Sequence, residues 1–348
     1  MPADTLLKVE SVSKRFRVGG LTLHAVESVS FEVAAGQTLG LVGESGSGKS
    51  TLGRVALRLL PADDGRVLFE GQDLAELGPK ELRARRRDLQ MIFQNPLASL
   101  NPRMTIGAAI EDAMIIQKIG GSASARRARV GDLLERVGLP RTIQSAHPFE
   151  LSGGQQQRVG IARALSVSPK LVVCDEPVSA VDVSIQVQII ELLKELQAEL
   201  GIAYLFISHN LAVVQYLSDN VLVLYLGEVV EQAPAEQLFE APQHPYTRAL
   251  IDSVLKIPKS AADRQLIRPP KGEIPSPLSP PSGCPYHPRC PIATELCRQE
   301  KPALRMVAPQ RLAACHYPLA ADAAAPTAVV SPPKSLARPV PSGTEVGA

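Results

Sequence analysis

The sequence predicts an α/β fold: a mostly parallel sheet covered by helices, a helical insertion within it, and a small cysteine-rich extension toward the C-terminal end. Three observations carry that expectation. Short β-branched runs alternate with patterns of helical period, the arrangement of a parallel sheet with helices on its faces. A glycine-rich loop at 43–51 stands between a strand pattern and a helix pattern. Four of the five cysteines crowd between Cys284 and Cys315, where prolines recur.

Length and composition narrow the classes. The 348 residues suit one large domain with an appendage, and a hydrophobic share of 45% supplies a sizeable core. With 37 Lys and Arg against 35 Asp and Glu, the net charge of +2 gives too little field to attract nucleic acid or an anionic lipid surface. No nucleic-acid partner is expected. The most apolar stretch, 221–230, is broken by Gly227 and Glu228 and is far shorter than the ~20 residues that span a bilayer. The opening residues, MPADTLLKVESVSKRF, lack the basic start, apolar run and small-residue cleavage site of a secretory signal, so a reducing cytoplasm is the expected compartment.

Taken in order, strands are expected over 8–12, 29–33 and 37–42, separated by Gly19, Gly20 and Gly36. A helix follows the glycine loop over 49–60, with Leu52, Val55, Ala56, Leu59 and Leu60 at helical spacing. Residues 104–146 carry helical patterns without strand alternation, as at 125–137, which places a helical subdomain at about 95–160. The sheet resumes with strands at 171–174, 203–207 and 221–225, and helices at 185–200 and 211–218 lie between them. The main domain is expected over 5–240 and the extension over 241–318. From 319 to 348 the chain is largely Ala, Pro and Ser, and a disordered tail is expected there.

Two motifs point to nucleotide chemistry. Gly43, Gly48, Lys49 and Ser50 fit G-x-x-x-x-G-K-[ST] in the required strand, loop and helix context, a Walker A loop. Its glycines, with Gly46, let the backbone N–H groups from Ser45 through Ser47 to Ser50 turn toward β-phosphate oxygens of a nucleotide, and the helix dipole adds positive potential. Lys49 is expected to reach the β- and γ-phosphates, and Ser50, followed by Thr51, to serve Mg2+. The apolar run at 171–174 ends in Asp175 and Glu176, the Walker B pattern, in which Asp175 would hold Mg2+ and Glu176 would orient an attacking water. Taken alone, two acids after a strand also describe a solvated turn.

The wider series resembles the ABC transporter ATPase family. Leu151-Ser152-Gly153-Gly154-Gln155 resembles the family signature, and Ser152 is equally suited to cap the helix that follows. The residues Ser179 to Asp182 resemble the D-loop, with Val181 where Leu is common. Ser208-His209 resembles the switch histidine, and Gln94 the Q-loop glutamine that senses the γ-phosphate and Mg2+. Phe16 sits where the family places an aromatic against adenine; a lone strand Phe also suits a core. The resemblance implies a RecA-like P-loop ABC ATPase core with a helical subdomain. It implies two nucleotide domains meeting head to tail, each ATP lying between Lys49 of one and Ser152 of the other. Glu176, His209 and Gln94 are the residues it places at the chemistry.

Further segments, Gln94 to Arg103, Ser184 to Gln188 and His244 to Leu250, resemble ATPases of the dipeptide and oligopeptide importers, and the wording at 154–163 is similar to the second of their two paralogous ATPases. That resemblance implies a peripheral subunit at the cytoplasmic face of the cell membrane. Its partners would be two membrane permeases, a second ATPase that is paralogous or identical, and an extracytoplasmic substrate-binding protein. Nickel, glutathione or another small solute stays open as cargo, as does a soluble non-transport ATPase or a redox-sensing module. Cys284, Cys290, Cys297 and Cys315 follow C-x5-C-x6-C-x17-C. Four thiolates could hold zinc, hold an iron–sulfur cluster, or stay free or disulfide-linked; resemblance to the peptide-importer ATPases favours a [4Fe–4S] cluster. Cys174, in the Walker B strand, is expected in the core.

Overall fold

A computed structural model of the chain describes residues 5–179, 181–253 and 272–319. The tail expected from 319 lies, from 320 onward, outside the described residues. Two sheets and a helical layer make up the fold. Strands β1 (Thr5–Val18) and β2 (Leu21–Ala34) form an antiparallel hairpin that turns at Gly19 and Gly20, both with positive φ. With β4 (Asp64–Phe69) and β5 (Gln72–Asp73) they make a four-stranded sheet in the order β2-β1-β4-β5.

The larger sheet has eight strands. Five of them, β3 (Thr38–Val42), β6 (Leu89–Ile92), β7 (Leu171–Asp175), β8 (Ala203–Ile207) and β9 (Asn220–Tyr225), run parallel in the order β9-β3-β8-β7-β6. β10 (Glu228–Pro234), β12 (Arg311–Ala313) and β11 (Arg305–Ala308) extend it antiparallel beyond β9. The expected mostly parallel sheet is thus the five-stranded part from β9 to the β6 edge, with three antiparallel strands added on the other side. The apolar run at 221–230 is a hairpin rather than one element, because Leu226 and Gly227 take φ of 47° and 82° and reverse the chain.

Side-chain alternation fixes the two faces. In β7, Leu171 and Val173 join the hydrophobic cluster beneath the sheet, with Leu7, Val29 and Phe31 of the first sheet. Val172 and Cys174 face the opposite cluster, with Tyr204 and Phe206 of β8. Each fully buried Leu or Phe contributes about 1.5–3 kcal/mol. Burial on both faces is why these strands read as unbroken apolar runs.

Helix α1 (Lys49–Ala56) buries Leu52, Val55 and Ala56. It stops short of the expected 60 because Arg58 turns into the left-handed region at φ 49°, where its guanidinium donates to the carbonyls of Leu77 at 2.9 Å and Ala75 at 3.1 Å. Helix α2 (Pro79–Arg85) follows β5, and the helical layer comprises α3 (Ile106–Ile116), α4 (Ala123–Arg136) and α5 (Gly153–Leu165). Thr105, Ser122 and Ser152 cap them, each side-chain oxygen accepting a backbone N–H of the first turn; such a cap contributes about 1 kcal/mol. Helix α6 (Val183–Leu200) precedes β8, and α7 (Leu211–Leu217) precedes β9. Beyond Glu240 the chain rejoins the core: Glu231 of β10 pairs with Ala313 of β12, and Tyr246 and Tyr286 pack on Tyr225. Among the described residues no helix is long and apolar enough to cross a membrane.

Candidate active site

The parallel strands end together, and their carboxyl ends carry the polar residues that the sequence singles out. This is the edge at which open α/β sheets bind ligands. Gly43 follows β3, Glu176 follows β7, Ser208 and His209 follow β8, and Gln94 lies just past β6.

The loop after β3 is tightly built. Gly43, Gly46 and Gly48 all have positive φ. A Cβ at Gly48 would lie 2.1 Å from the Ala25 carbonyl oxygen, and one at Gly43 would lie 2.2 Å from that of Leu224, so neither position admits a side chain. Gly46 has open space around it. Lys49 is buried, and its Nζ donates to the carbonyls of Gly43 and Glu44, both at 2.8 Å. Burial lowers its pKa, while the carboxylates of Glu176, Asp175 and Glu44 pull the other way. The ammonium thus turns inward on its own loop.

Around it the remaining residues pair. Ser50 Oγ donates to Asp175 Oδ1 at 2.7 Å, joining the hydroxyl and carboxylate expected to serve one cation. Burial raises the Asp175 pKa, and the Ser50 hydrogen bond only partly offsets it. Gln94 Nε2 donates to Glu176 Oε2 at 2.8 Å, and His209 Nδ1 stands 3.4 Å from Glu176 Oε1. Glu176 itself has φ of 47°, an uncommon backbone for a non-glycine residue, held by its N–H to the Ile207 carbonyl at 3.0 Å. Two side chains, from the ends of β6 and β8, therefore converge on the carboxylate that follows β7. Such a grouping can bind polyphosphate, hold a hard divalent cation and polarise a water.

Other expected residues stand apart. Ser152 Oγ accepts from Gln155 N–H at 3.3 Å while Gln155 Oε1 accepts from Ser152 N–H at 2.9 Å, a reciprocal cap at the tip of α5. Among the described residues no hydrogen bond joins Ser152, Gly153, Gly154 or Gln155 to the 43–51 loop. Asp182 is exposed ahead of α6, next to the exposed Val183. Phe16 is half-buried, belongs to neither core cluster, and has Lys14 Nζ 5.6 Å from its ring centre. Cys174 is fully buried, as expected of a core residue.

Cys284, Cys290, Cys297 and Cys315 are all unpaired and line one small cavity with His244, Tyr286 and His287. Burial pushes the thiols of Cys284 and Cys315 up to about 11. Among the described residues no group of three or more His, Cys, Asp or Glu is arranged to hold a metal ion. The donor chemistry, four free thiols on one cavity, suits a thiolate-bound group.

Sequence reasoning missed three contributors. Arg54 lies 3.9 Å from Asp175; Tyr246 Oη accepts from the Glu44 N–H at 2.9 Å; and Arg289 grips the Glu44 carboxylate at 2.6 and 2.8 Å. Arg54 could have been found by helical spacing from Ser50, on one face of α1. No local pattern links positions 44, 246 and 289.

A family model described as ABC transporter matches residues 26–179, and one described as oligopeptide/dipeptide transporter, C-terminal region, matches 230–297. The chain is 48% identical over 316 residues to a Brucella ovis protein named for peptide import ATP binding, covering 90% of this chain and 98% of that one. It is 45% identical over 321 residues to the oligopeptide transport ATP-binding protein AppF of Bacillus subtilis, covering 90% and 97%. Among solved structures, the dimeric post-hydrolysis state of the ATP-binding cassette MJ0796 bound to ADP and Pi superposes with a TM-score of 0.62 at 30% identity, covering 66% of this chain and 98% of that chain.

Proposed function

From the premise that the chain belongs to the ABC transporter family of ATPases, we propose that it is the ATP-hydrolysing subunit of an importer for di- or oligopeptides. The reading is carried by the 45–48% identity to peptide and oligopeptide import ATPases along nearly their whole length. Its partners would be two membrane permeases, a second ATPase of the same kind, and an extracytoplasmic binding protein. The chain would sit at the cytoplasmic face of the membrane. Purification from membranes with identification of the associated permeases tests this; recovery of the chain alone, or with ribosomes, would overturn it.

In the mechanism, the loop N–H groups and Lys49 bind the phosphates of ATP, and Lys49 leaves the carbonyls of Gly43 and Glu44 to do so. Ser50, Asp175 and Gln94 would hold Mg2+, which supplies neutralisation of the β- and γ-phosphate charge. Glu176, oriented by Gln94 and His209, accepts a hydrogen bond from the attacking water. Phe16 lies against the adenine. Ser152 and Gly154, at the positive end of α5, complete the site of a partner protomer, with Asp182 at the same face. Most of the rate then comes from positioning and charge neutralisation.

The main domain over 5–240 would drive this cycle, and the extension over 241–318 would carry a [4Fe–4S] cluster on Cys284, Cys290, Cys297 and Cys315. Support comes from four free thiols on one cavity. Anaerobic purification with iron analysis and an absorption spectrum tests it; no iron and no broad visible absorption would remove the cluster.

A further inference from the structure

The Cys-rich extension touches the nucleotide loop at one residue. Arg289, the residue before Cys290, places Nη1 2.6 Å from Glu44 Oε2 and Nη2 2.8 Å from Glu44 Oε1, a two-pronged ion pair across 245 positions of sequence. Its side chain is 4% exposed and that of Glu44 20%, so little solvent screens the pair. The Glu44 carboxylate lifts the Arg289 pKa still further. Arg289 also leans on the rings of Tyr225 and Tyr286, with Cζ 5.9 and 5.8 Å from their centres.

Glu44 is the second residue of the phosphate loop, and every polar group on it is held. Its N–H donates to Tyr246 Oη at 2.9 Å, its carbonyl accepts from Lys49 Nζ at 2.8 Å, and its carboxylate is taken by Arg289. Tyr246 and Arg289 both belong to the chain beyond Glu240. A carboxylate at the mouth of a polyphosphate site would repel its ligand unless cancelled. Arg289 supplies that cancellation and anchors the loop's first turn.

Building on the nucleotide-site reading, we propose that Arg289 is a positioning residue for nucleotide, holding and neutralising Glu44 so that the extension braces the phosphate loop. Because coupling between two sites is reciprocal, nucleotide on the loop must in turn steady the segment around Arg289. Nothing in this depends on which group the cysteines hold.

The test uses the full chain, with ADP as probe so that protomer pairing does not enter. Arg289→Ala is expected to weaken ADP binding about tenfold, within the usual range of coupling between sites. Glu44→Ala, which loses the anchor but leaves no bare carboxylate, is expected to weaken it less, and the double variant to match Glu44→Ala rather than add the two losses. Arg289→Lys, which keeps the charge but not the paired geometry, is expected to fall between. Hydrogen exchange across 284–297 should slow on adding ADP to the native chain and stay unchanged in Glu44→Ala. Native affinity in Arg289→Ala, or losses that simply add in the double variant, would overturn the proposal. If Arg289→Ala does not fold, the Arg289→Lys and Glu44→Ala arms decide it alone. A native chain that fails to bind ADP would instead sink the nucleotide-site reading itself.

Discussion

The amide of Gln94 is hydrogen-bonded to the carboxylate of Glu176, Nε2 to Oε2 at 2.8 Å. The residue proposed to polarise water is thus tied to the segment past β6 that leads into the helical layer. The carboxylate and the approach to the helical layer share one bond. Glu176→Gln removes the base while keeping the shape and a carbonyl oxygen to accept from Gln94. It is expected to bind ATP, form a stable closed dimer and hydrolyse at least about 100-fold more slowly, the lower range for loss of a general base. Turnover and gel filtration with ATP check this; brisk turnover would take Glu176 out of that role.

Asp175 is buried with its pKa raised, so its charged form costs the nucleotide-free protein stability. The sign follows directly: a carboxyl with a raised folded pKa stabilises the fold most at low pH and loses that contribution as pH rises through the folded value. Asp175→Asn keeps an acceptor for the Ser50 hydroxyl. Its melting temperature at pH 7 should rise while Mg2+-dependent hydrolysis is lost, and melting curves with an ATPase assay check both.

The loop glycines are not equivalent. Gly48→Ala must drive a Cβ into the Ala25 carbonyl, whereas Gly46→Ala meets no atom and costs only the left-handed backbone, about 1–2 kcal/mol. Nucleotide titration should find binding abolished in the first and weakened but present in the second.

His244 is buried, its Nδ1 accepts the Tyr246 N–H at 3.0 Å, and burial pushes its pKa down to about 3. An unfolded His protonates near 6.5. Stability from this group is therefore full above about pH 6.5 and falls by about 1.4 kcal/mol per pH unit on acidification toward 3. His244→Gln should flatten that slope, as denaturant midpoints measured from pH 7 to pH 4 would reveal.

Legibility followed sequence distance. The 43–51 loop and the 171–176 strand end were readable because phosphate and cation chemistry is written there in adjacent residues. Ser152 was readable as a cap, because a serine before a run of small residues suits a helix start. The pairing of Ser50 with Asp175 was legible because both residues were expected to serve the same Mg2+. By contrast, the return strand β10 was not expected, although Gly227 and Glu228 marked the break in the apolar run. The Arg289 and Glu44 pair was hidden by a separation of 245 positions. The four cysteines signalled a shared cavity, but spacing alone carries no information about how closely their sulfurs approach.

The account rests on an ATP site completed by two protomers, and ATP turnover with position 152 blocked tests it most directly. In the chain purified with its associated subunits, Ser152→Arg is expected to leave ADP binding at the glycine loop intact and to cut turnover at least about 100-fold, as loss of a transition-state donor does. Full-speed hydrolysis by an isolated protomer carrying Ser152→Arg would contradict it.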